Sequence, residues 1–280
     1  MDDRNLAARQ EQLVAHLAQL PSCMVAYSGG VDSAVVAKAA YVALGSRAIA
    51  VTGLSASLAS GELETAKRIA ASVGIHHETV ETDEFSQAGY LENRPNRCWH
   101  CKTELYQQMR VFGEQLGIKH IVNGANADDA GDFRPGMKAA TEHEVGSPLL
   151  ECGIHKEDVR QIAKAWNLEV WDKPAMPCLS SRIVYGLNVT PQRLARVDAA
   201  ERLLRELKLS HCRVRHHHDD LARIEVSVDD LTTLCEPSIR KTIVEHFREL
   251  GFQYVTFDLE GFRSGSFQQL VSSEELTRYK

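Results

Sequence analysis

The stretch Met24–Ala34, M-V-A-Y-S-G-G-V-D-S-A, constrains this chain more than any other. Met24-Val25-Ala26-Tyr27 is an apolar run short enough for a buried parallel strand, and it leads directly into Ser28-Gly29-Gly30. Val31-Asp32-Ser33 then opens Ala34-Val35-Val36-Ala37-Lys38-Ala39-Ala40, which reads as a helix packed on a sheet. A strand, a glycine turn and a helix N-terminus in that order make an anion cradle. The free N–H groups of the first helical turn point outward, and the helix dipole favours negative charge there. Gly29 and Gly30 let an oxyanion approach the backbone, and the hydroxyls of Ser28 and Ser33 add donors. A bare Gly-Gly turn is usually only a turn, but the full S-G-G-V-D-S string points to phosphate or pyrophosphate. The two commonest phosphate loops are absent. No G-x-x-x-x-G-K-[ST] occurs, and no G-x-G-x-x-G follows a strand.

The 280 residues hold one large domain or two ordinary ones, and a 44% hydrophobic share is ample for a core. A formal charge of −6 argues against broad binding to a nucleic-acid backbone. The start, Met1-Asp2-Asp3-Arg4, is polar and no apolar run approaches transmembrane length, so a soluble cytoplasmic protein is expected.

Residues 4 to 20 carry helical spacing, with Leu6, Leu13, Leu17 and Leu20 on one face, and Pro21 stops them. Further strands are expected over Ala48–Thr52, His77–Val80 and Ile118–Val122, with helices over 60–73, 103–116 and Lys156–Trp166. That alternation predicts an α/β fold, a Rossmann-like parallel sheet with helices on both faces and ligands at the strands' carboxyl ends. Pro174, Pro177, Gly186 and Pro191 punctuate the next segment, so the expected domains are 1–185 and 186–280. The second reads helix 191–208, strands 211–217 and 221–227, helix 237–250 and strand 253–258, a small α+β unit. A polar tail follows Gly265.

Of seven cysteines, Cys98 and Cys101 form a lone C-x-x-C within N-R-C-W-H-C-K. Alone this supports half a zinc site, a redox pair or cluster ligands. With no second C-x-x-C, Cys178 in P-A-M-P-C-L-S-S-R is the natural third partner, and three thiolates suit a [4Fe–4S] cluster with one open iron. The plain alternative is a pair of small buried apolar residues. Cys23, Cys152, Cys212 and Cys235 carry no motif and read as core or surface thiols. Neighbours in His216-His217-His218 would point to opposite strand faces, so the run reads as solvated rather than ligating.

S-G-G-V-D-S resembles the pyrophosphate loop of the ATP pyrophosphatases, the adenine nucleotide α-hydrolases, which cleave ATP between its α- and β-phosphates. With N-R-C-W-H-C-K, N-G-A-N-A-D-D-A-G-D-F-R-P-G, S-P-L-L-E, D-K-P-A-M-P-C-L-S-S-R-I, R-V-R-H-H and D-L-E-G-F-R-S-G-S, the resemblance becomes specific and spans nearly the whole chain. In order, these segments resemble the ATP-dependent sulfur transferases that help make the nickel-pincer nucleotide cofactor of lactate racemase. That resemblance implies adenylylation of a carboxylate of a pyridinium biscarboxylic acid mononucleotide, attack by sulfur and release of a thiocarboxylate. ATP and Mg²⁺ are the implied cofactors, and a homo-oligomer, a hexamer, is the implied assembly.

Carried onto this sequence, the resemblance places Cys178 at the sulfur position. It makes Cys98, Cys101 and Cys178 the ligands of a [4Fe–4S] cluster, with sacrifice of the Cys178 sulfur as the internal alternative. Trp99 and Glu201 are implied near the active site, although Glu201 also fits an ordinary helix surface. Asp32 is the nearby carboxylate for Mg²⁺ or a helix N-terminal residue, and both roles can hold. Thr52, Asn126, Asp128, Asp132 and Arg134 belong to the nucleotide site at the strand ends, where N-G-A-N leaves no hydroxyl at Ala125. Arg213 and Arg215 alternate on a strand and share a face that suits a phosphate or carboxylate; a solvated face is the alternative. Two other functions share the loop: tRNA thiolation, which the acidic charge disfavours, and a non-catalytic adenine-nucleotide sensor.

Overall fold

Cys23–Ala26 (β1) is buried along its whole length, and its side chains alternate between two cores. Cys23, Val25 and Tyr27 enter one, while Met24 and Ala26 enter the other. A strand buried on both faces belongs in the middle of a parallel sheet. The computed structural model, which describes residues 3–131, 134–209, 211–263 and Phe267, puts it there. β2 (Ala48–Leu54) and β4 (His120–Val122) flank β1, and β3 (His76–Glu81) forms the outer edge beyond β2, all parallel.

Asp3–Leu17 (α1), Val31–Leu44 (α2), Glu62–Val73 (α3) and Lys156–Ala165 (α8) cover one face. α2 is apolar almost all round because it lies beneath α1 and α8 as well as on the sheet. Leu13 and Leu17 of α1 are fully enclosed, each contributing about 2–3 kcal/mol of burial. The other face carries Arg97–Leu116 (α5) and Pro135–Glu142 (α6), between which Tyr106, Met109, Ala139 and Ala140 pack on Met24 and Val51. Short helices Ala88–Leu91 (α4) and Pro148–Glu151 (α7) fill connections. The α/β class, with helices on both faces of a parallel sheet, is the one the alternation predicts.

Past residue 190, Pro191–Glu206 (α9), Arg213–His217 (β5), Leu221–Glu225 (β6), Leu231–Leu234 (α10), Pro237–Glu249 (α11) and Tyr254–Phe257 (β7) build a second, mixed sheet. β5 pairs antiparallel with β6, and β6 parallel with β7. Leu204 of α9 and Phe247 of α11 pack with Val214 and Ile224 in its own core.

The two sheets meet through the residues around Cys178. Ile183 bridges to His216, and the Val184 N–H donates to the His216 carbonyl at 3.0 Å.

Several bounds differ from expectation. α5 begins at Arg97 rather than at residue 103, so both cysteines of the C-x-x-C ride on helix. R-C-W-H-C-K has no apolar period, but buried Arg97 anchors the turn, and Trp99 N–H closes it on the Asn96 carbonyl at 2.8 Å. α6 opens on a proline at its first position and carries no periodic signal long enough to announce it. β4 and β5 are shorter than the expected 118–122 and 211–217. The polar tail after Gly265, Phe267 apart, lies outside the described residues.

Candidate active site

β1 is followed to one side by β2 and β3, and β4 then pairs on its other side. This reversal opens a crevice beyond the carboxyl ends of β1 and β4. Ser28–Ser33 line one wall and Asn123–Asn126 the other, and the two come very close. A Cβ on Gly124 would stand 2.8 Å from the Ser33 nitrogen, so only glycine fits. Gly29 has φ +68°, and a Cβ there would lie 2.9 Å from the Ala66 Cα of α3. The loop is internally braced. Ser33 Oγ donates to the Gly30 carbonyl at 3.0 Å and accepts from the Ser28 N–H at 3.2 Å, and the Gly30 N–H donates to Ser28 Oγ at 3.3 Å. Gly30 caps α2 with no side chain over the end, which leaves the first-turn N–H groups around Val31 and Asp32 facing the crevice.

Asp32 stands at the centre. Its Oδ1 accepts from Asn126 Nδ2 at 3.1 Å and its Oδ2 pairs with Lys156, the first residue of α8. Asp128 lies one step out, accepting from His155 Nδ1 at 2.6 Å and from the Lys156 N–H at 2.7 Å; these two bonds hold its carboxyl below the usual carboxylate range. Arg134 pairs with Asp129 at 2.7 Å, and Asp132 lies outside the described residues. Thr52 is buried just inside the crevice and is already engaged. Its hydroxyl donates to the Tyr27 carbonyl at 2.8 Å and meets His77 Nε2 at 2.8 Å, so it has no proton left for a ligand. Lys156 escapes sequence reasoning, although H-K-E-D-V-R at a helix start facing an aspartate was the available signal.

The sulfur residues form a second neighbourhood on the same edge of the sheet. Ser57, just past β2, accepts the Leu179 N–H at 2.9 Å on its carbonyl and so fixes the residue after Cys178. Cys98 and Cys178 are exposed, while Cys101 is half-buried against Tyr90, Leu179 and Ile183. Burial first, then the charges of Cys178 and Glu84, push the Cys101 thiol up. Lys102, next in the helix, feels all three thiols; burial pulls its ammonium down, but Tyr106 and the thiols outweigh that and hold it up. Among the described residues, no three His, Cys, Asp or Glu side chains stand close enough to hold a metal ion as they are placed. Trp99 points elsewhere, donating to Glu142 of α6 at 2.7 Å with its ring edge-on to His100.

Behind Cys178 lies a buried charge lattice. Arg182 is fully enclosed, forks onto Glu201 at 2.9 and 3.2 Å, and donates to the Cys178 carbonyl at 2.9 Å. Glu201 is therefore no surface residue: completely buried, it also accepts the Val214 N–H at 3.1 Å. It reaches Cys178 only through Arg182.

Arg213 and Arg215 are both buried, which excludes a solvated face. Arg215 places its fork on Glu225 at 2.7 and 2.9 Å and touches the Ser181 carbonyl at 3.1 Å. Among the described residues, Arg213 has no carboxylate ion pair. It donates to the carbonyls of Cys212 and Ala175 at 2.7 and 2.9 Å, and burial with the nearby Arg182 charge pulls it down. The histidine run is not solvated throughout either. His216 is enclosed, donor or acceptor to Asp220 at 3.1 Å and edge-on to Phe252.

A family model for NAD synthase matches residues 9–108, the part containing the loop. An uncharacterised protein of Synechocystis sp. is 42% identical over 95% of this chain and 99% of its own length. The pyridinium-3,5-bisthiocarboxylic acid mononucleotide synthase of Lactiplantibacillus plantarum is 34% identical over 98% of this chain and 99% of its own. The chain belongs to this synthase family. It is an enzyme, an ATP-dependent sulfurtransferase on the pyrophosphate-loop fold. A tRNA-specific 2-thiouridylase of Rickettsia felis is more distant, 26% identical over 54% of this chain and 51% of its own. The synthase match takes in the second sheet, which the family model over residues 9–108 does not reach. Among the described residues, no helix is long and apolar enough to cross a membrane.

Proposed function

We propose that this enzyme adenylylates a ring carboxylate of pyridinium-3,5-biscarboxylic acid mononucleotide and converts it to a thiocarboxylate for the nickel-pincer cofactor of lactate racemase. The observation that carries the reading is similarity to the plantarum synthase from end to end, covering both the loop and the residues behind Cys178.

In the first half-reaction, a substrate carboxylate oxygen attacks the α-phosphorus of ATP. The bond from that phosphorus to the bridging oxygen breaks, and pyrophosphate departs with the electron pair. The N–H groups after Gly30 and the ammonium of Lys156 face that departing charge. Asp32 keeps lone pairs beyond its bonds to Asn126 and Lys156, so the acidic crevice fits a hydrated Mg²⁺, which when bound neutralises pyrophosphate. Adenylylation exchanges a poor leaving group, oxide, for AMP.

In the second half-reaction, sulfur attacks the acyl carbon and the bond to AMP breaks. Cys98, Cys101 and Cys178 form a donor set of three thiols and no carboxylate, two of them exposed, which suits an iron–sulfur cluster. These three thiolates would hold a [4Fe–4S] cluster, which when bound would supply the transferred sulfur in replaceable form. The sacrificial route instead joins Cys178 Sγ to the acyl carbon; loss of the Cα proton and cleavage of Cβ–Sγ then release the thiocarboxylate and leave dehydroalanine. The cluster reading is preferred because sacrifice gives Cys98 and Cys101 no task. Arg213, buried and without a carboxylate ion pair among the described residues, is the cation assigned to the substrate phosphate, with Arg215 shaping the wall beside it.

The finer assignments follow the same reading. The domains are 1–185 and 186–280, supported by separate cores. The enzyme works in the cytoplasm, where seven thiols stay reduced. It forms a homo-oligomer, a hexamer, for which exposed Tyr254 and Phe257 on the outer strand β7, with Leu259 just after it, offer apolar contact.

The test is pyrophosphate release from ATP that depends on the pyridinium mononucleotide. Cys178→Ala keeps that release and forms no thiocarboxylate; loss of both half-reactions contradicts the assignment of Cys178 to sulfur transfer.

A further inference from the structure

Cys98 and Cys101 sit at the start of α5, and Cys178 lies about 80 residues later at the entry to the second sheet, so something must set their register. The segment between α4 and α5 does this with buried polar groups. Asn93 is fully enclosed in the left-handed region, φ +52°, a conformation asparagine tolerates better than most residues. Its side-chain amide donates to the carbonyls of Val184 and Leu187 at 2.8 and 2.9 Å, with that of Ile183 at 3.3 Å. Its own carbonyl accepts the Gly186 N–H at 3.2 Å, and the Leu91 carbonyl accepts the Val189 N–H at 3.0 Å.

Arg97 completes the link from the residue immediately before Cys98. Its Nη1 donates to Asn93 Oδ1 and, at 2.8 Å, to the Ser180 carbonyl two residues past Cys178. Tyr90 closes the other side, its hydroxyl 2.6 Å from Ser180 Oγ. Arg97 has no carboxylate ion pair among the described residues, and the ionisable groups around it are Cys98, Cys178, Tyr185 and Tyr90. A buried guanidinium spent on a side-chain amide oxygen and one backbone carbonyl beside thiols, rather than on a carboxylate, is an expensive way merely to stabilise a turn.

We propose that Asn93 and Arg97 are positioning residues that hold Cys178 in register with Cys98 and Cys101, so that sulfur transfer depends on them and adenylylation does not. The inference rests on the proposed function for its second half-reaction. Among the described residues, neither side chain bonds to the loop, Asp32, Asn126 or Lys156; Arg97 bonds to the chain two residues past Cys178, and Asn93 to it five, six and nine residues past.

The test uses Arg97→Gln, Asn93→Ala and Tyr90→Phe in the full-length protein, with three readouts. Pyrophosphate release should match the unsubstituted enzyme, while thiocarboxylate formation falls about 100-fold in Arg97→Gln and less in Tyr90→Phe. The third readout needs no turnover: dibromobimane, which bridges two nearby thiols, should link Cys178 to Cys98 or Cys101 in the iron-free protein, as read by peptide mass. That link should be lost in Arg97→Gln. Undiminished bridging and sulfur transfer would overturn the proposal, as would an equal fall of both half-reactions, which marks a general structural role. Should Asn93→Ala fail to fold, Arg97→Gln and Tyr90→Phe decide the matter. An unsubstituted enzyme that bridges its thiols but makes no thiocarboxylate refutes the proposed function instead, and bridging in the variants still scores the register.

Discussion

Arg213 and Arg215 stand two positions apart on β5, share one face, and have different fates. Each is a guanidinium removed from water, and removal is tolerated only where hydrogen bonds replace it. Arg215 finds Glu225 across the ladder; Arg213 finds carbonyls, the Met176 sulfur and the ring of Phe262. That they alternate was legible in R-V-R-H-H. That one is satisfied internally was not, because Glu225 comes from the neighbouring strand. Glu201 teaches the same lesson: its burial follows from Arg182, and breaking such an enclosed pair by truncating one partner costs about 3–5 kcal/mol. Histidines also report their setting. Burial, then the charge of Arg223, pulls His217 down to about 4. An unfolded His217 takes its proton near pH 6.5 while the folded one resists until about 4, so between these values the unfolded chain binds more protons. Stability should therefore fall as pH drops through that window. His216 and His77, also lowered by burial, act in the same direction. Melting temperature against pH checks this, and His217→Gln should flatten the slope below pH 6.5; an unchanged slope contradicts the assignment.

At the scale of elements, the loop between β1 and α2 is the part most completely written in the sequence. Strand length, glycines and the following apolar helix are local signals, and each element forms where its own residues predict. What is not local is why Gly29 cannot change. Its partner is Ala66 on α3, far along the chain. Gly29→Ala should lower stability by about 1–3 kcal/mol, through the positive φ and the clash together, and should abolish pyrophosphate release. A variant with the parent's melting temperature and activity would show that loop and helix are less tightly packed than described. The start of α5 escaped for the opposite reason. R-C-W-H-C-K lacks any apolar period, and the turn is held by Arg97 reaching Asn93 and Ser180, contacts that exist only once the chain is folded. Putting the C-x-x-C on helix changes its meaning, since residues three apart share a face there.

For the whole molecule, the order β3-β2-β1-β4 points to where chemistry can occur, because the reversal beside β1 leaves a crevice open at the strands' carboxyl ends. The class and this edge of the sheet were readable from the alternation of strands and helices. The proline cluster around residues 174–191 suggested a domain junction, but the contacts made there were not readable from it. Residues 178–189 are bound on one side by Asn93, Arg97 and Ser57, and on the other by Arg215 and His216. This segment ties the first sheet to the second, and the proposed function puts the sulfur donor Cys178 at its start. Under the proposed function, Cys98, Cys101 and Cys178 deliver that sulfur through a cluster. Intact mass of the anaerobically purified, iron-assayed enzyme, before and after incubation with ATP, substrate and sulfide, distinguishes cluster from sacrifice. Delivery through a cluster gives bound iron, several products per chain and an unchanged polypeptide mass; one product per chain with loss of the mass of H₂S from the polypeptide excludes it.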